Sequence, residues 1–383
     1  MDIYTLFVAP CISTIAVSAA FGAAMRNVPI SELAAKADTI VVANAAVASQ
    51  QGNQAVVSMV AIRVLKGNHA TGTTLSVAWK RDVNASSTSQ IQLPTALWFL
   101  QHNADGSWNV IPTVEGGPGT LRLFFKAAPE IDTQLTYSPE TPISQKIVSE
   151  IASAIEYYNG AYADVLFFDI VPWGDSSLLE AVFRRFILSN SARVRGLGFA
   201  GLIRQGDAQA LVSAQQQITL FAHSAAAVAL NESISRFHNP DPDAVQSLGI
   251  LSTSAAPTPD WHVDRAAAYA LKSIHTKEAV PYLVRALDSA DAFIREEAVG
   301  GLSAFAAGLP LITDGASLRA ALDRTFNPSH SAHDKITIGD PAVREHFHMG
   351  SFASPADELK YVQYWRAWAS HYIVSVQPNV HPR

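Results

Sequence analysis

Cysteine is almost absent: the 383 residues hold one, Cys11, and it falls inside an apolar N-terminal stretch. A product cleaved behind that stretch carries no disulfide, no thiolate metal ligand and no cysteine nucleophile. Charge is sparse as well, at 16% of residues, with 27 basic against 33 acidic side chains and no long run of either sign. A net charge of -6 spread in this way gives no footprint for a nucleic-acid backbone or an anionic membrane surface, so no nucleic-acid partner is expected. The motifs Gly-x-Ser-x-Gly and His-Glu-x-x-His are missing, which removes the commonest hydrolase elbow and the helical zinc-protease site. Glu115-Gly-Gly-Pro-Gly119 lacks the Lys-Ser/Thr ending of a phosphate loop and reads as a turn before the strand-like Thr120 to Phe125.

What is present is apolar material. Hydrophobic residues make up 49% of the chain, enough for buried cores in two domains. The stretch Ile3 to Ala24 is apolar and charge-poor, and it ends in the small residues Ser18-Ala19-Ala20 and Gly22-Ala23-Ala24. Residues 1–25 are therefore expected to be a signal peptide, which places the mature protein in the periplasm or outside the cell, with no stable membrane insertion after cleavage. Asp2 stands where such peptides carry Lys or Arg. A transmembrane anchor is the alternative, since the roughly 20 residues a bilayer needs are just reached, although Pro10 interrupts them.

Beyond Ser31, proposed as an N-cap with Leu33, Ala34 and Ala37 on one helix face, the apolar period becomes two. Thr39 to Ala43, Ala55 to Leu65, Thr74 to Trp79, Ala96 to Leu100 and Trp108 to Ile111 read as five strands, with turns at Gly52-Asn53, Lys66-Gly67-Asn68 and Asp105-Gly106. Residues 31–126 are thus expected to form a small all-β barrel or sandwich. In Leu33 to Lys80, the opening Ala37-Asp38-Thr39-Ile40-Val41-Val42 and the close Val64-Leu65-Lys66-Gly67 resemble the OB-like or netrin-like β domains of secreted bacterial proteins. That resemblance implies a fold and no chemistry.

Pro129, Pro139 and Pro142 mark a linker over residues 127–142, after which helical periodicity takes over. Val194, Val263 and Ile294 each have small residues four and seven positions later, and a leucine eight positions later: Leu202, Leu271 and Leu302. Small side chains at that spacing let a neighbouring helix approach, so Gly198, Gly201, Ala267, Ala270, Ala298 and Gly301 are expected to face neighbours, whereas Lys272 is expected to be solvated. Second helices follow in register, with Ala210, Leu211, Ala214 and Ile218 matching Ala279, Val280, Leu283 and Leu287. A weaker unit near Ala222 is followed by what reads as an insertion over Pro240 to Pro259. Val263 and Ile294 lie 31 residues apart and Val194 and Val263 lie 69 apart, about two such steps. The expected fold class is α+β multidomain, with a HEAT-like α-solenoid at 143–326 and a C-terminal loop and capping helix at 327–383.

At these residues, Val194-Arg195 and Ile294-Arg295 included, the chain resembles the short HEAT-like repeats first described in phycobilisome lyases. Val263-Asp264-Arg265 departs from the pattern by placing its arginine one position late. Arrays of this kind serve binding, assembly and catalysis, so the resemblance implies a fold more than an activity.

Chemistry-bearing residues cluster near the C-terminus. His330, His333, Asp334, His346 and His348 are the candidate metal ligands, since zinc takes three or four such groups. Solvated loop histidines are the plainer interpretation, and no cofactor is expected. Tyr361, Tyr364, Trp365, Trp368 and Tyr372 recur at helical spacing behind Ser354-Pro355, as a terminal helix that seals the last repeat would require. The leading functional expectation is a non-catalytic binding or scaffold protein outside the cytoplasm, engaging a protein or peptide partner. The alternative is an enzyme, either metal-dependent through those histidines or lyase-like.

Overall fold

The structure is a computed structural model that describes residues 28, 30–51, 54–80, 92–111, 122–123, 135–157, 167–168, 170–171, 176–222, 224, 226–254, 256, 258, 260–309, 340–347 and 352–376. The chain is a small five-stranded β barrel followed by a helical region. It divides into two compact units, Met1–Val182 and Phe183–Arg383.

The first unit opens with helix α1 (Ile30–Lys36) and strands β1 (Thr39–Gln51), β2 (Gln54–Lys66), β3 (Thr74–Lys80), β4 (Gln92–His102) and β5 (Trp108–Val110). Ser31 lies inside the first turn of α1 rather than at its cap, because the helix begins one residue earlier. Strands pair in the order β1-β2-β3-β5-β4, and β4 returns to β1, which closes the barrel. All of these pairs are antiparallel except β3 with β5, which is parallel. A two-residue strand β6 (Arg122–Leu123) adds to β4. Strand β1 runs eight residues past Ala43, through Asn44-Ala45-Ala46, because cross-strand partners on β2 supply what weak local propensity does not.

Alternation along the strands sends Val41, Val57, Met59, Val77, Trp98 and Leu100 into one core, while Val56 and Val60 stand outward on β2. Gly67 makes the β2–β3 turn possible. Its φ is +103°, and a Cβ there would stand 2.5 Å from Thr39 Oγ1.

Helix α2 (Ile143–Tyr157) belongs to this first unit. Ile147, Val148, Ile151 and Ile155 bury one face of α2. A charge pair adds direction: Arg63 of β2 donates from Nε and Nη2 to the two carboxylate oxygens of Glu150, at 2.5 and 2.6 Å. The Tyr137 hydroxyl donates to the same carboxylate at 3.0 Å. Burial first, and the Glu150 charge second, push the Tyr137 phenol well above its ordinary value, so it stays a donor.

Helix α3 (Ser176–Phe186) crosses the division, and the second unit continues with α4 (Ala192–Arg204), α5 (Ala208–Gln216), a 3-10 turn (Ile218–Phe221), α6 (Ala226–Ser235), α7 (Pro242–Thr253), α8 (Val263–Ser273), α9 (Val280–Ala286), α10 (Ala292–Ala306), α11 (Pro341–Glu345) and α12 (Pro355–Val376). Two layers result. Helices α4, α6, α8 and α10 stack side by side, and α5, α7, α9 and α12 do the same. The stretch expected to be an insertion contains α7, started by Asp241 as N-cap with Pro242 behind it, and α7 sits between α5 and α9 as the second helix of its repeat.

The small residues lie where helices touch. A Cβ on Gly201 would stand 2.4 Å from the Phe183 ring, and one on Gly301 would stand 2.9 Å from Leu283 Cδ1. Ala267, Ala270 and Ala298 are fully buried, as are Leu271 and Leu302. Lys272 departs from expectation in part: its side chain is 27% exposed, and its ammonium lies 2.9 Å from the buried carboxylate of Glu297 on α10.

Candidate functional site: the outward row of the first helix layer

Loops that begin α4 and α10 are built alike. The Ser191 and Asp291 amides donate to the hydroxyls of Ser189 and Ser289, at 3.2 and 3.1 Å. Ser191 and Asp291 then cap their helices, and Arg195 and Arg295 reach back from Nη1 to the carbonyls of Ser189 and Ser289, at 2.8 and 2.7 Å. Each arginine thus satisfies the turn that launches its own helix. Arg265, one position late on α8, instead donates from Nε to Asp291 at 2.6 Å and ties its repeat to the next one.

With the helices in this register, Ala200, Val228, Tyr269 and Gly300 take matching places on α4, α6, α8 and α10. Ala200 and Gly300 are covered, whereas Val228 is 60% and Tyr269 40% exposed. Around them Trp261 donates from Nε1 to Asn231 at 2.9 Å, and Glu232 receives both Arg204 and Arg236 at 3.0 Å. The Lys272 ammonium lies 5.5 Å from the Tyr269 ring centroid, a cation–π distance. The α6–α8 surface therefore presents an aliphatic and an aromatic side chain inside a rim of paired charges.

Beneath that surface the electrostatics are unusual. Burial pushes the Glu297 carboxyl up from its ordinary value, against the opposing pull of Lys272. The Lys272 stem crosses Gly300, where a Cβ would stand 3.2 Å from its Cε. Sequence reading missed this pair. A signal for it exists nonetheless, since the first repeat has Leu197 where α10 has Glu297, and a charge at a core position of one repeat calls for a partner.

At the C-terminal end, α12 lies against α9 and α10 and buries Val362, Trp365 and Ala369. Ser354 caps it, accepting from the Asp357 amide at 3.1 Å. Glu358 takes Nε and Nη2 of Arg295, whose guanidinium that hydrogen bond holds even more firmly charged. Trp368 and Tyr372 stack at 5.0 Å and both meet Phe305 of α10, so this aromatic stripe packs against the last repeat. A cleft of about 280 Å³ remains between the Leu287–Ser289 turn and α12, floored by Arg295, Glu358 and Arg366.

Of the five candidate metal ligands, His330, His333, Asp334 and His348 lie outside the described residues. His346 sits just beyond α11, stacked 3.8 Å from Tyr364, and its Nδ1 donates to the Ala342 carbonyl at 2.9 Å. Among the described residues, no three His, Cys, Asp or Glu side chains are gathered closely enough to hold a metal ion. Nor is any described helix long and apolar enough to cross a membrane.

A model of HEAT repeats matches residues 250–325, which span α8, α9 and α10. The helical region carries HEAT repeats. No curated protein matches the chain. A crystal structure of an engineered protein is similar over 63% of this chain at 18% identity, with a TM-score of 0.29, and the chain spans 62% of that protein's length.

Proposed function

We propose that the chain is a non-catalytic binding or scaffold protein that acts outside the cytoplasm and engages a protein or peptide through the outward row of its HEAT repeats. The observation that carries this reading is the pair Val228 and Tyr269, exposed at matching positions on adjacent helices while their equivalents on α4 and α10 are covered. Repeat arrays make extended binding surfaces because each helix offers one equivalent position to the row. Export rests on the apolar, small-residue-ended N-terminal stretch. For the barrel, the closure order with its single parallel β3–β5 pair supports an OB-like fold.

A photo-crosslinking residue at position 228 or 269 tests the surface, with position 246 on α7 as the control. Adducts from 228 and 269, competed by unlabelled chain and absent from 246, are the expected result. Equal labelling at all three positions rejects the outward row as the binding surface.

The histidine-rich end supports a second, metal-binding reading on one observation. His346 commits Nδ1–H to a backbone carbonyl, which leaves the Nε2 lone pair as the ligating one, the usual arrangement of metal-bound imidazoles. Calorimetric titration with zinc decides it: one site, lost in His346→Ala, is expected, and heat equal to dilution ends that reading.

A further inference from the structure

The Lys272–Glu297 pair, beneath the outward row, joins two repeats. Lys272 projects from α8 of the third repeat and Glu297 from α10 of the fourth. Glu297 is 4% exposed and occupies the place that Leu197 fills in the first repeat, so the fold itself does not call for a charge there. Getting the ammonium to the carboxylate needs a path, and Gly300 provides it by leaving room for the lysine stem. A charged carboxylate buried with one point-charge partner and no bidentate guanidinium is poorly compensated, whereas a neutral carboxyl in the same place loses far less on burial.

We propose that this pair is a proton-operated joint: taking up a proton on Glu297 tightens the contact between the third and fourth repeats, and losing it loosens that contact. Asp264, at the start of α8, is a second carboxyl pushed up by burial, but it lies beside His262 and Asp291 and apart from Lys272, so Glu297→Gln separates the two. From α8, Lys272 alone acts on Glu297, with the Tyr269 ring against the ammonium, while Arg265 is held by Asp291. From α9, Leu283 meets Gly301, and Arg285 lies over the Tyr282 ring. From α12, Glu358 and Arg366 are engaged by Arg295 and Asp288.

The direction follows from linkage. A carboxyl whose burial raises its pKa in the joined state binds its proton more tightly there than when the repeats part. Its contribution to joining is therefore fully present below the pKa of the parted state and is lost as pH rises through the raised value. Acidification from neutral pH strengthens the joint, the opposite of what an exposed, salt-bridged carboxylate does.

Hydrogen exchange of the full-length chain at pH 7 and pH 5, corrected for intrinsic exchange rates, reads this directly in the α10 amides. In the wild type, α10 opening is expected to fall at the lower pH, the direction that one linked proton with a raised pKa dictates. In Glu297→Gln that dependence vanishes, leaving α4 as an internal standard that behaves alike in both proteins. Should Glu297→Gln fold poorly, the paired replacement Lys272→Met with Glu297→Leu, which copies the first repeat's apolar choice, takes its place and is likewise expected to be pH-independent. Parallel pH profiles for wild type and variant, or faster α10 opening in acid, overturn the proposal. Neither result bears on partner capture by Val228 and Tyr269.

Discussion

The barrel unit and the helical region each bury a glutamate, and they neutralise it in different ways. Glu150 meets a guanidinium fork through both oxygens and a tyrosine hydroxyl besides, so three donors surround it. Glu297 has one ammonium, reached along a lysine stem laid over a glycine. Arginine's fork is planar and permanently charged, which suits a fixed clasp between α2 and the barrel. Lysine offers a mobile point charge, which suits a joint between repeats. The same residue type, buried to a similar degree, acquires a structural or a responsive character from its partner.

Breaking the fork is expected to have the largest effect. Glu150→Ala leaves Arg63 charged and mostly covered, and losing one member of a buried pair costs on the order of 3 to 5 kcal/mol. Native-state hydrogen exchange of the β2 and α2 amides measures it. A loss below about 1 kcal/mol would mean that water replaces the carboxylate easily and that the clasp is weaker than its geometry implies.

Next comes a test of how far damage travels. Ala270 is fully buried on α8 with neighbours on both sides, and Ala270→Leu is expected to cost about 1 to 3 kcal/mol by overpacking. In a repeat array each unit touches only its neighbours, so faster exchange should appear in α6 to α10 and spare α4. A barrel closed by β4 returning to β1 has no such firebreak. Uniform loss of protection across the helical region would show that the array unfolds as one block.

Repeat register was legible because it rests on a pattern that local sequence carries: Gly198 and Gly201, Ala267 and Ala270, and Ala298 and Gly301 recur at one spacing, and each is buried where helices meet. The end of β1 was not legible, since Asn44 to Gln51 have little strand propensity and are held by cross-strand partners. Helix α7 was hidden for another reason. Prolines at 240, 257 and 259 flank it and Pro242 begins it, and together they read as loop, although the first helical turn is where proline is at home. Lys272 was misjudged because spacing around one helix says which side a residue takes, but not that a buried acid waits on the next helix. Of the metal candidates, only His346 received a place. The exposed pair Val228 and Tyr269 became visible only when helix positions were compared across repeats.

The smallest expected effect lies at the end of the array, where Arg366 of α12 donates to Asp288 and to the Leu287 carbonyl. On distances alone this contact rivals the Arg63 clasp. Exposure separates them, because the Arg366 and Asp288 side chains are 46% and 69% accessible to water. Solvent screens such a pair and satisfies both partners when it opens, so exposed ion pairs are worth only about 0.2 to 1 kcal/mol. Meanwhile Val362, Trp365 and Ala369 keep α12 in place by apolar burial, and that is independent of Arg366. Arg366→Ala is therefore expected to change the protection of α12 by no more than about 0.5 kcal/mol, the range of ordinary surface substitutions. Exchange of the α12 amides in low and high salt measures it, with the small wild-type advantage fading as salt rises. A loss of several kcal/mol would mean that charge, not the Trp365 face, fastens the terminal helix, and that exposure does not separate weak from strong ion pairs at this end of the molecule.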